Sequence, residues 1–146
     1  MTNTQPKQVP GFILERTARR MKQYFQQQLL ARDAGLTIDQ WVVLQALHAR
    51  DGQSPYQLAE ATFKDRPTMT RILDLLADKG LIRRQTDPAD RRRYRISLTA
   101  AGRAQITTLL PMMEGLRESA WSALSPEEVG QLVDLLERVF ASLEDG

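Results

Sequence analysis

No cysteine occurs anywhere in the chain. That absence excludes disulfides, thiolate nucleophiles, zinc–thiolate sites and thiol-based redox sensing together. Histidine is nearly missing as well: His48 stands alone, so a zinc site would need mostly carboxylate ligands, an uncommon donor set. No metal or cofactor is expected. Apolar runs are short, and none approaches the roughly 20 residues that cross a bilayer as a helix. The stretch Met1 to Pro10 is polar and has no apolar core of the kind that directs secretion. A cytoplasmic location without membrane attachment is the expectation. Enzyme machinery is missing too. There is no nucleophile set beside a base, no metal cluster and no phosphate-cradling glycine loop. The eight glycines fall mainly at helix ends and turns, and Glu127 and Glu128 suit a helix start.

What is present is ordinary in amount and uneven in distribution. The 146 residues are 42% hydrophobic and 26% charged, as in a single globular domain able to bury a core. Net charge is +2. From Lys64 to Arg95, however, ten basic residues face five acidic ones, leaving +5. Residues 100 to 146 hold three basic against eight acidic, or −5. A basic middle beside an acidic C-terminal third indicates a polyanion-binding surface confined to one region, or else a solvated charged face.

Periodicity divides the chain into six helices and a hairpin. Residues 1–9 read as a disordered tail. Leu14, Ala18, Met21, Phe25 and Leu29 recur at helical spacing up to Asp33-Ala-Gly35. Thr37 with Gln40 forms a capping box for a second helix, and Ser54-Pro55 with Gln57 opens a short third one. Asp65 or Arg66 begins a fourth, which Gly80 stops after Lys79. Leu81 to Thr86 and Arg92 to Leu98 then read as strands around the turn Asp87-Pro-Ala-Asp90, with Tyr94, Ile96 and Leu98 on one buried face. Thr99 caps a fifth helix from Ala100 to about Ala123, disturbed by Pro111 and Gly115. Ser125-Pro126-Glu127-Glu128 starts the sixth.

Two short helices around Ala61-Thr-Phe63 make a helix-turn-helix. On the fourth helix Met69, Ile72, Leu73 and Leu76 fill one side, and Pro67, Thr70, Arg71 and Asp74 the other, with Arg66 and Thr68 toward the rims. An exposed hydroxyl and guanidinium near a helix N-terminus suit a major groove, or else belong to an ordinary amphipathic surface helix. Lys64 and Arg66 lie where the chain would cross the phosphate backbone. At the hairpin turn, Asp90-Arg91-Arg92-Arg93 offers long basic side chains to a minor groove about 6 Å wide, and an Asp90–Arg92 pair would hold the guanidinium in one pose. With Ser54, which starts the third helix, the candidate DNA contacts are Ser54, Lys64, Arg66, Pro67, Thr68, Thr70, Arg71, Asp90, Arg91 and Arg92.

The run Thr68-Met-Thr-Arg-Ile-Leu-Asp-Leu-Leu-Ala-Asp-Lys-Gly-Leu-Ile-Arg-Arg84, followed by Asp87-Pro-Ala-Asp-Arg-Arg-Arg-Tyr-Arg-Ile-Ser-Leu-Thr-Ala-Ala-Gly102, closely resembles the MarR (multiple antibiotic resistance regulator) family. Asp90-x-Arg92 with Ser97-Leu-Thr99 and Gly102 is its most specific part. The resemblance implies a mainly α fold with a small β-hairpin wing. It implies an obligate homodimer joined through its N- and C-terminal helices and bound to pseudo-palindromic operators. Thr68, Thr70 and Arg71 then fall at recognition positions, and Arg92 at the wing tip with Asp90 orienting it. It also implies a repressor that releases DNA when a small aromatic acid or other amphipathic compound binds.

The apolar stripes of the first and sixth helices agree with a homodimer, since a small winged helix cannot cover them alone, against the competing explanation that part of each stripe is internal core packed on the fifth helix. The expected division is therefore a helical dimerisation region, residues 10–35 and 100–146, around a winged helix-turn-helix DNA-binding region, residues 36–99. Tyr24, Trp41 and His48 are candidates for lining an effector cleft, against the plainer alternative that they are core. The rival function is a winged-helix module for protein or RNA interaction, which needs no symmetric pair of recognition helices.

Overall fold

A computed structural model describes Gln5 and residues 9–144; the expected tail at residues 1–9 otherwise lies outside the described residues. The elements in order are α1 (Pro10–Ala31), α2 (Ile38–Ala49), α3 (Pro55–Ala61), α4 (Arg66–Asp78), β1 (Ile82–Thr86), β2 (Tyr94–Leu98), α5 (Ala100–Ala120) and α6 (Pro126–Glu144). They form two compact units, divided at Leu110 and Pro111 within α5. No helix among the described residues is long and apolar enough to cross a membrane.

The first unit is built on α2, whose buried residues are Gln40, Trp41, Val43, Leu44 and Leu47. Leu29 from α1, Leu58 from α3, Met69, Ile72, Leu73 and Leu76 from α4, and Ile96 and Leu98 from β2 are likewise buried. The starts of α2 and α3 are fixed by side-chain caps. Thr37 Oγ1 accepts from the Gln40 N–H at 3.1 Å, and Gln40 Oε1 from the Thr37 N–H at 3.2 Å. Ser54 and Gln57 repeat that reciprocal box, which satisfies two otherwise orphaned amides at each helix start.

Two helix ends use the same geometry with different residues. Gly80, at φ +73°, lets the Leu81 N–H reach the Leu76 carbonyl at 3.0 Å and ends α4. Phe63 takes φ +56° after α3, and the Lys64 N–H reaches the Ala59 carbonyl at 2.9 Å. A bulky side chain in the left-handed region is uncommon and strained. That strain sits in the turn between α3 and α4.

β1 and β2 pair antiparallel, with Ile82 opposite Leu98, Arg84 opposite Ile96 and Thr86 opposite Tyr94. The strands are shorter than the sequence pattern suggests. Leu81 belongs to the cap of α4, and the residues before Tyr94 belong to the turn, where the Asp87 N–H donates to the Arg93 carbonyl at 3.0 Å. Tyr94, expected on the buried face, is 52% exposed. It lies at the turn end of the hairpin, past the core contacts of Ile96 and Leu98.

The base of the hairpin is anchored twice. Gln53 bridges to Ile96: the Ile96 N–H donates to the Gln53 carbonyl at 2.8 Å, and the Gly52 N–H to the Ile96 carbonyl at 3.0 Å. Gln53, itself buried, donates through Nε2 to the Ala46 and Arg50 carbonyls at the end of α2. On the other side, α5 starts so close to the hairpin that a Cβ on Gly102 would lie 2.1 Å from the Leu81 carbonyl oxygen. Pro111 does not interrupt α5, which ends at Ala120 rather than Ala123. In the second unit, Ser125 and Glu128 cap α6 reciprocally, and no residue of α6 is buried.

Candidate nucleic-acid interface

α4 presents the face its periodicity indicates. Met69, Ile72, Leu73 and Leu76 turn inward, while Arg66, Pro67, Thr70, Arg71 and Asp74 are exposed and Thr68 half-buried. The helix begins at Asp65, whose carboxylate accepts from the Thr68 N–H at 2.8 Å. Those Thr68 hydrogen bonds hold the Asp65 carboxyl below its ordinary pKa. Pro67 supplies the preset φ of a first turn. Asp74, on the same face further along, is paired with Arg84 of β1.

Arg66 is held from below. Its guanidinium lies 5.8 Å from the centre of the Tyr56 ring, a cation–π distance. The Tyr56 hydroxyl in turn donates to Glu60 Oε1 at 2.9 Å. That hydrogen bond to a carboxylate, and its charge, push the Tyr56 phenol above its usual pKa. A guanidinium propped on a fixed ring loses less freedom when it meets an anion.

At the hairpin tip, Asp90 organises the turn. Its Oδ1 accepts from the Arg92 N–H at 3.0 Å and lies 3.5 Å from Arg92 Nε, while Oδ2 is 3.6 Å from Arg93 Nε. The Arg92 side chain is 93% exposed, so it projects into solvent with only its Nε edge engaged. Arg91 is exposed beside it. Asp87 braces the turn, accepting from the Ala89 N–H at 2.9 Å and pairing with Arg95 at 3.6 Å.

Between the start of α3, Arg66 and the hairpin lies an open groove of about 1060 Å³. Arg50, Arg66, Arg92, Arg93 and Arg95 line it, against Asp51, Glu60 and Asp87. Those carboxylates are already engaged: Asp51 lies 3.3 Å from Arg103, Asp87 pairs with Arg95, and Glu60 accepts from Tyr56. The lining thus carries five arginines against three carboxylates, an excess of positive charge beside both candidate reading elements. Ser54 lines it too, with its hydroxyl committed to the Gln57 N–H at 3.1 Å.

Lys64 is placed differently from the expectation. Its ammonium turns inward to Asp39 Oδ1 at 2.8 Å, because a carboxylate stands there half-shielded from water. Burial alone would raise the Asp39 carboxyl. Hydrogen bonds from Lys64 and Lys22, with their charges, outweigh that and hold it below its usual value. Tyr56, Arg50 and Arg95 carry no local signal in the sequence, and Arg93 shows only as part of the basic turn. Only the four-residue spacing of Tyr56 and Glu60 hinted at their pairing, and nothing local brings Arg66 over that ring.

The three effector candidates are not alike. Trp41 is 1% exposed and packed in the core, His48 is exposed near the end of α2, and Tyr24 is half-buried on α1 with its ring edge-on to Phe25 at 5.5 Å. Among the described residues, no group of three or more His, Asp or Glu side chains could hold a metal ion.

A MarR-family sequence model matches residues 34–93, the stretch from α2 through the hairpin turn. A probable transcriptional regulator from Pseudomonas aeruginosa is 32% identical over 92% of this chain and 99% of its own, with a TM-score of 0.82. BpsR of Bordetella bronchiseptica, whose DNA binding is regulated by 6-hydroxynicotinic acid, is 33% identical over 88% of this chain and 96% of its own, with a TM-score of 0.79. MepR of S. aureus, solved in complex with DNA, is 29% identical over 92% of this chain and 98% of its own, with a TM-score of 0.80. A mainly helical chain with a two-stranded wing, an exposed arginine-bearing face on α4 and these relatives has one reading: the protein belongs to the MarR family of winged-helix transcriptional regulators and is a DNA-binding regulator, not an enzyme.

Proposed function

We propose that the protein is a homodimeric repressor that reads a pseudo-palindromic operator and is released by a small aromatic or amphipathic ligand. The observation that carries this reading is the pairing of two exposed basic elements in one unit, the Arg71 face of α4 and the Asp90-braced Arg92 of the hairpin. In the proposed complex Pro67, Thr68, Thr70 and Arg71 lie in the major groove, and Arg92 enters the minor groove with Arg91 on the adjacent phosphates. Arg66 and Ser54 meet the backbone between the grooves. The exposed apolar row of α6, with Phe12, Leu14 and Leu30 exposed on α1, supplies the surface for a second copy. Regulation of BpsR by a hydroxylated aromatic acid supports a ligand of that class here. Tyr24 is the best placed of the three candidates to meet one, since Trp41 has no open face and His48 stands in solvent. With DNA as partner, the protein acts in the cytoplasm.

Selection of binding sites from random duplex DNA with the purified protein tests the reading. The expected result is an inverted repeat whose half-site centres lie one helical turn, or a multiple of it, apart. Recovery of no consensus would overturn it in favour of an interaction module, and a single unrepeated half-site bound by a monomer would overturn the homodimer.

A further inference from the structure

The two ends of α4 are tied to one place, the first turn of α2. Before α4, Lys64 Nζ donates to Asp39 Oδ1 at 2.8 Å. At its far end, Lys79 Nζ donates to Gln40 Oε1 at 2.8 Å and to the Gly35 carbonyl at 2.7 Å. The same turn of α2 receives two ties from α1: Lys22 Nζ lies 3.2 Å from Asp39 Oδ2, and the Ile38 N–H donates to Gln26 Oε1 at 3.0 Å. Asp39 thus divides its two oxygens between α1 and the turn that precedes α4.

Exposure separates the two lysines. The Lys64 side chain is 16% exposed and that of Lys22 is 59%. A lysine that meets phosphate keeps its ammonium in water, with the stem along the surface. Lys64 instead points its charge into the fold. A half-shielded pair is screened less by salt than an exposed one and holds its geometry better. Its chain neighbours are Phe63, at φ +56°, and Asp65, the cap of α4. Whatever fixes Lys64 therefore fixes the start of the helix that carries Arg66, Pro67, Thr70 and Arg71.

We propose that Asp39 is a positioning residue for DNA binding: by tethering Lys64 it sets the turn from which α4 enters the major groove, and through Lys22 it joins that turn to α1. The proposal rests on α4 being the reading helix, and it makes Lys64 an internal tether instead of a phosphate contact.

The two roles of Lys64 predict opposite signs, which makes Asp39→Asn decisive. Were Lys64 a phosphate ligand, the freed ammonium would tighten binding and steepen its salt dependence. As a tether, its release leaves α4 loosely held, and affinity falls roughly 3- to 30-fold with the slope of log K against log salt unchanged. Lys64→Met should show most of that loss at unchanged slope, where a lost phosphate contact would lower the slope by about one. The double variant should be no weaker than Asp39→Asn alone, because losing Asp39 already removes the Lys64 interaction. Asp39→Glu should recover part of the affinity. Lys22→Met should cost less, Lys22 being the more exposed of the two lysines.

Anisotropy titrations of an inverted-repeat duplex recovered by selection, from ~0.05 to ~0.3 M salt, read these values. The active fraction is fixed by stoichiometric titration, since misfolded protein lowers that fraction and leaves Kd alone. Tighter binding by Asp39→Asn, a shallower slope for Lys64→Met, or additive losses in the double variant would overturn the proposal. If Arg92→Ala weakens binding and Asp39→Asn does not, the tether fails while the proposed function stands. If the wild-type chain binds no duplex, both fail.

Discussion

Arg92 and Arg71 are both exposed arginines, yet on the proposed reading their losses should look different. Arg92 stands at the tip of a braced turn, where Asp90 fixes its backbone and Nε but leaves the rest of the guanidinium open. Arg92→Ala should weaken binding to every duplex and lower the salt slope by about one; unchanged affinity near ~0.15 M salt would remove the hairpin from the mechanism. Arg71 lies on the reading face of α4, where a guanidinium can fork onto one base. Arg71→Ala should relax sequence preference at a single position by roughly 1–3 kcal/mol. A uniform loss across sequences would mark it as a phosphate contact. Asp39 gives a prediction in pH. Its folded pKa is lowered, so its ionised form adds stability that is complete above the unfolded value near ~3.9 and is lost as pH falls through the folded value. Asp39→Asn should therefore lose less stability than wild type over that acid range, and parallel acid-unfolding curves would contradict the ion-pair assignment.

The elements were legible wherever a local rule governs them. Capping boxes at Thr37, Ser54 and Ser125 announce three helix starts, and Gly80 announces an end. The inward face of α4 follows from a 3.6-residue period alone. What stayed hidden depends on partners distant in sequence: the Gln53–Ile96 bridge, the ring of Tyr56 beneath Arg66, and the inward turn of Lys64 toward Asp39. Tyr94 shows the limit of alternation, because a period of two identifies a strand face without saying how far the core extends beneath it. Gly102 lies between these cases. In the sequence it is part of a motif, and its reason is a contact: Thr99 Oγ1 donates to the Gly80 carbonyl at 2.6 Å and accepts from the Gly102 N–H at 3.0 Å, drawing α5 onto the hairpin base. A methyl there would meet the Leu81 carbonyl, which itself accepts from the Thr99 N–H at 3.1 Å. Gly102→Ala should destabilise the protein by about 1–3 kcal/mol, as overpacking does. Thermal unfolding checks it, and a change within ~0.5 kcal/mol would show that α5 can shift without cost.

At the scale of the molecule, DNA reading and self-association are proposed to depend on different units, and they can be separated by experiment. The second unit holds α6, which buries none of its residues, and Val133, Leu136, Phe140 and Leu143 recur along one side of it while remaining exposed. Apolar side chains in such a row mark an interaction surface more often than an idle one. If a second copy covers that row, carboxylates placed there should leave the single chain folded, since they displace nothing buried, and should abolish the dimer. Leu136→Glu combined with Leu143→Glu is therefore expected to give a folded monomer in sedimentation equilibrium, with helical circular dichroism retained. Its DNA binding should fall sharply, because one α4 reaches one half-site and the partner helix about 34 Å away is lost. The salt slope should drop to roughly half, following the number of phosphates neutralised. A double variant that remains dimeric would place the interface elsewhere, and one that is monomeric yet binds the inverted repeat as tightly as wild type would show that pairing of recognition helices contributes nothing to affinity.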